Sequence, residues 1–110
     1  MSRDERLYLE DILASCEKIL GATSTVSLDE LRRSDLTYDG VIFNLYTIGE
    51  AVKHLSTEAR ARQPDIPWRK IAGLRDIIAH GYFRIDDGIV ADVVAHHLAP
   101  LRAAVQQLLT

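Results

Sequence analysis

The chain has a single cysteine, Cys16, among 110 residues, which rules out an internal disulfide and makes the cytoplasm the default expectation. It has no apolar run near the roughly 20 residues that a membrane span needs. The opening Met1-Ser2-Arg3-Asp4-Glu5-Arg6 is too charged to lead into a signal peptide. Zinc-ligand spacing, a Walker-type phosphate loop and a GxGxxG turn are all missing, so no metal or cofactor is expected. The serines lack a matching His and Asp pattern, which argues against a serine hydrolase. No strand-like alternation, internal repeat or low-complexity segment interrupts the chain. At 47% hydrophobic and 26% charged, with apolar residues recurring throughout, the composition argues against disorder and for one domain around one core.

Helical periodicity dominates. A first helix is predicted over 3–20. Ser2 and Glu5 have capping-box spacing, Leu9, Ile12, Leu13, Cys16, Ile19 and Leu20 form one stripe, and Gly21 ends it. Cys16 lies on that stripe and reads as a buried thiol. Ser27 and Glu30 repeat the capping signal before a short helix over 28–33. A long helix is expected over 36–62, with Val41, Leu45, Ile48, Val52, Leu55 and Ala59 as its seam. Gly49 beside that seam either admits a close helix neighbour or is merely tolerated. Pro67 opens a helix to His80, with Trp68, Ile71, Leu74, Ile77 and Ile78 as its apolar surface and Gly81 as its stop. Asp86 or Asp87 caps a last helix that reaches the end with a kink at Pro100. The fold class is therefore all-α, most simply an antiparallel four-helix bundle with an additional short helix.

The net charge is −3, yet residues 60–84 carry six basic side chains (Arg60, Arg62, Arg69, Lys70, Arg75, Arg84) against Asp65 and Asp76. That local excess can attract a polyanion, or can be a chance cluster on a solvated face. Within it, Arg75 and His80 combine a permanent cation with a group that titrates near neutrality, which suits chemistry on a phosphodiester. On a regular helix the two are ~140° apart, whereas Asp76 and His80, four apart, can meet. Such a pair, at the end of a helix dipole, favours the imidazolium. Arg75 reaches His80 only if the helix frays at Gly81 or if two chains pack around a shared cleft; the blander reading is an ordinary surface pair and a solvated arginine. Elsewhere, His54 pairs with Glu50 on the surface, and His97 falls on the apolar stripe. His96 and His97, ~100° apart, suit a shared metal poorly.

The spacing Arg75-x4-His80-x-Tyr82 resembles the R-x4-6-H-x-Y motif of the HEPN superfamily, in particular the HepT-like ribonuclease toxins. Asp76 matches the polar residue that often follows the arginine. Ile48-Gly49-Glu50-Ala51, Pro64-Asp65-Ile66-Pro67-Trp68-Arg69 and the closing helix are similar as well, so the resemblance spans nearly the whole chain. It implies one HEPN-like helical domain over 1–110 and metal-independent RNA cleavage in the cleft of a homodimer. In that chemistry the RNA 2′-hydroxyl attacks the adjacent phosphate. His80 acts as general acid or base, Arg75 binds the phosphate and stabilises the transition state, and Asp76 orients the site. The resemblance further implies a nucleotidyltransferase antitoxin of the MntA type that transfers AMP to Tyr82. Phe83 reads as core rather than a base-stacking platform. The rival readings are a non-catalytic helical partner- or substrate-binding module of a nucleotidyltransferase complex, and a purely structural bundle.

Overall fold

A computed structural model describes residues 1–81 and 85–110. The described residues form seven helices: α1 (Arg3–Thr23), α2 (Leu28–Arg32), α3 (Asp35–Lys53), α4 (Thr57–Ala61), α5 (Trp68–Gly81), α6 (Asp87–His96) and α7 (Leu98–Leu109). The chain is an all-α bundle. α3 packs on α1 and α5, and α7 packs on α1. Leu9, Ile12 and Ile19 of α1 meet Leu45, Ile48 and Val52 of α3, Ile71 and Leu74 of α5, and Leu101 and Val105 of α7 in one core. Cys16 is fully buried there, and burial pushes its thiol up to about 12, so it is protonated and unreactive.

Two helices expected as continuous are each broken in two. The 36–62 seam is buried as expected, but α3 ends at Lys53 and α4 restarts at Thr57. The break is held by tertiary partners. Ser56 caps α4 by accepting from the Ala59 amide, while its own amide donates to Glu5 Oε2 at 2.7 Å. Arg60 reaches back to the Val52 carbonyl, and the Trp68 indole donates to the carbonyls of Arg60 and Gln63. Apolar periodicity persists across such a break, because Leu55 stays in the core. The expected last helix is broken at His97, three residues before Pro100. Pro100 has no N–H for the His96 carbonyl and its ring crowds that oxygen, so α6 stops there and Pro100 falls in the first turn of α7.

Smaller differences have local causes. α1 runs past Gly21 to Thr23, because the hydroxyls of Thr23 and Ser24 satisfy the Ile19 and Gly21 carbonyls. On α5, Trp68, Ile71, Leu74 and Ile78 are buried, but Ile77 is exposed. It sits roughly 100° or more round the axis from the centre of that stripe.

Candidate active site

Tyr46, Glu50 and Lys53 follow one another at steps of four and three on α3, which puts them on one face. That face meets α5, and Gly49 sets how near the two helices come. A Cβ at Gly49 would lie 2.7 Å from the Arg75 backbone nitrogen and 3.2 Å from the Ile71 carbonyl oxygen. The close approach is therefore real, and it occurs at the turn of α5 that carries Arg75.

Arg75 emerges from this contact with its side chain partly covered. Its Nε donates to Glu50 Oε2 at 3.0 Å and its Nη1 to Asp76 Oδ1 at 3.3 Å. The guanidinium carbon lies 5.7 Å from the centre of the Tyr46 ring, within cation–π range. The interaction with Tyr46 raises the guanidinium pKa, partial desolvation opposes it, and the bonds to Asp76 and Glu50 add to the rise. Behind Glu50, His54 Nε2 is 3.6 Å from Oε1, so the Glu50–His54 pair forms. The His54 ring also stacks on Tyr8, at 4.5 Å between centres and 8° between planes.

Asp76 is engaged by cations other than His80. Lys53 Nζ donates to its Oδ1 at 2.8 Å, and Arg75 shares the same oxygen. No Asp76–His80 ion pair forms among the described residues, although helix spacing allows one. The neighbouring helix delivers an ammonium to that carboxylate, which spacing along α5 cannot reveal. The Lys53 hydrogen bond, foremost, holds the Asp76 carboxyl below its usual range, against a smaller desolvation effect. The stabilisation from this carboxylate is complete above the unfolded pKa of about 3.9 and is lost as pH falls through the lower folded value. Asp76→Asn should therefore flatten the acid limb of a plot of melting temperature against pH. Identical limbs in the two proteins would contradict this.

His80 is exposed in the last turn of α5, which stays helical through Gly81, so the fraying route to Arg75 is not taken. Among the described residues the imidazole has no hydrogen-bond or ion-pair partner, and no hydrogen bond joins it to Arg75. Tyr82, Phe83 and Arg84 lie outside the described residues. Beside the site the surface is apolar. Phe43 is 64% exposed, and a shallow groove of about 270 Å³ is lined by Phe43, Tyr46, Ile78 and Ala79; the 43% exposed Ile77 is not part of it.

The basic segment is less free than its composition suggests. Arg60 is bonded to Val52, Lys70 to Asp92 at 3.1 Å, and Arg75 to Glu50 and Asp76, while Arg62 and Arg69 are exposed. His97 is a partly buried member of the Lys70–Asp92 cluster rather than an apolar core residue, 3.4 Å from Asp92 Oδ2. Among the described residues no three His, Cys, Asp or Glu side chains converge as a metal site requires. No helix there is long and apolar enough to cross a membrane.

The profile of the family described as ribonuclease HepT-like matches residues 12–108, which include Arg75 and His80. The chain belongs to the HepT-like ribonuclease family. A provisionally named RNase of Caldanaerobacter subterraneus subsp. tengcongensis is 32% identical over 94% of this chain and 93% of its own length. A Thermococcus cleftensis protein named "Probable ribonuclease HepT" is 32% identical over 98% of each chain. A provisionally named RNase of Methanocaldococcus jannaschii is 38% identical over 84% of this chain and 76% of its own. No solved structure gives a significant match. In this HepT-like chain, reasoning on one helix missed Tyr46 and Lys53. Their signal was the amphipathic face Phe43, Tyr46, Glu50 and Lys53 on the preceding helix.

Proposed function

We propose that this HepT-like chain is an endoribonuclease that cuts RNA by attack of the substrate's own 2′-hydroxyl, leaving a cyclic phosphate and a free 5′-hydroxyl. One observation carries the reading: a guanidinium anchored where α3 meets α5, with Nη2 uncommitted among the described residues, about 7.5 Å along the same helix from an exposed imidazole. The guanidinium matches a scissile phosphate in charge and fork geometry. The exposed imidazole is free to accept the 2′-hydroxyl proton or to protonate the leaving 5′-oxygen. The nucleophile belongs to the substrate and the developing charge falls to Arg75, so the step needs no metal. Asp76 takes part as a supporting residue by helping to fix Arg75.

The ~140° between Arg75 and His80 favours a cleft built by two copies, in which each set of groups faces the other. The exposed Phe43, which lines the groove, supplies an apolar surface for that contact. The partner in the cell is a nucleotidyltransferase antitoxin. It transfers AMP from ATP to the Tyr82 oxygen with release of pyrophosphate, and the added anion repels RNA from the cleft. The setting is a cytoplasmic toxin–antitoxin pair.

The test is incubation of purified protein with single-stranded RNA in excess chelator. Cleavage to cyclic-phosphate ends is expected, together with a dimer in sedimentation. Phe43→Asp should give a folded, inactive monomer. Incubation with the nucleotidyltransferase and ATP should add the mass of AMP to the wild type and none to Tyr82→Phe. Intact RNA would overturn the nuclease reading. The engagement of Arg75 by two carboxylates favours one rival, a non-catalytic partner-binding module, which would bind the nucleotidyltransferase equally well after His80→Ala.

A further inference from the structure

The Glu50 carboxylate uses both oxygens at the site. Oε2 accepts from Arg75 Nε at 3.0 Å, and Oε1 faces His54 Nε2 at 3.6 Å. His54 is in turn stacked on Tyr8, so Glu50 is braced from α1 as well as from its own helix. The other acceptor of Arg75 is weaker, because Asp76 Oδ1 stands at 3.3 Å and is shared with Lys53 at 2.8 Å. The Glu50 and Arg75 side chains are 42% and 35% exposed, and ion pairs so open to water contribute little to folding. Their geometry does more than their energy. With Nε tied to Glu50, Nη1 to Asp76 and the Tyr46 ring against one face, the guanidinium has one plane and one direction. Among the described residues its Nη2 end has no acceptor and is left for an anion.

We propose that Glu50 is a positioning residue for the phosphate-binding arginine, acting by fixing the plane of the Arg75 guanidinium through Nε. Gly49 is part of the same device. It brings the α3 backbone against α5, which lets the next side chain reach Nε directly. The proposal deepens the ribonuclease reading and rests on it for its kinetic consequence, but the geometry is testable without RNA.

The test pairs a spectroscopic with a kinetic readout on the full chain. In the ¹H–¹⁵N spectrum, the Arg75 Nε–H of the wild type should be a resolved, slowly exchanging signal, assigned by its loss in Arg75→Lys. Glu50→Ala should broaden or lose it, whereas Glu50→Gln, which keeps a carbonyl acceptor, should retain it. Misplacing a catalytic group by about an ångström costs up to about 10²-fold. Glu50→Ala should accordingly lower kcat about ten- to a hundred-fold with KM within a few-fold, and Glu50→Gln should recover most of the loss. An unchanged Nε–H signal in Glu50→Ala overturns the proposal. So does a lost signal with kcat intact, or an equal kcat loss in both variants. If the wild type leaves RNA whole, the ribonuclease reading fails, while the spectrum still decides the positioning. Thermal melts of both variants should stay close to wild type.

Discussion

His80→Ala is expected to lower the rate of RNA cleavage by about 10²–10⁴-fold, the usual contribution of one positioned proton-transfer group. The melting temperature should not move, because the ring is exposed and has no partner among the described residues. On the proposed mechanism Arg75→Ala should cause a loss of similar size by removing the cation that meets transition-state charge. Arg75→Lys should restore little, since an ammonium offers neither the fork for phosphate nor an Nε for Glu50. The two inactive variants also test the two-chain cleft. Mixed subunits of Arg75→Ala and His80→Ala retain one intact arginine and one intact histidine on opposite copies. If the site is shared between copies, unfolding and refolding them together should return measurable activity. If mixing returns none, while a wild-type and mutant mixture forms hybrids, the composite cleft is excluded.

Gly49→Ala should be the most damaging conservative change outside the core. A Cβ there meets the Arg75 backbone nitrogen at 2.7 Å and its Cβ at 3.2 Å, and backbone cannot rotate away as a side-chain tip can. Either α3 and α5 separate or the contact is strained, at a cost of about 1–3 kcal/mol by analogy with overpacked cores. Because the strain falls on the turn holding Arg75, activity should drop along with the melting temperature. Gly73→Ala is the internal control. It lies on α5 with nothing within 4 Å of its added Cβ, so it should be neutral or stabilise by up to about 1 kcal/mol through helix propensity. A stable, fully active Gly49→Ala protein would remove the physical basis for a close α3–α5 contact.

Much of this architecture was legible from periodicity. The seams expected over 3–20 and 36–62 are buried, with only Leu13 and Leu20 partly covered, and the capping serines Ser2 and Ser27 begin helices where their spacing predicts. Helix ends that depend on partners distant in sequence were not. The stop at Lys53 depends on Glu5, Arg60 and Trp68. In the site, the Glu50–His54 pair follows from i,i+4 geometry alone. The Asp76–His80 pair has the same spacing and does not form, because Lys53 arrives from another helix.

By itself the sequence determined the helical class, the apolar faces, the buried thiol and the Arg75–His80 spacing, since each is a property of neighbours along one chain segment. Tertiary structure alone decided which carboxylates hold Arg75, where Asp76 spends its charge, and how much of the basic segment remains uncommitted. The reason is physical. Side-chain direction around a helix is set by the backbone, but the partner met in that direction is set by which other helix packs there, and at this site a missing Cβ at Gly49 made that choice.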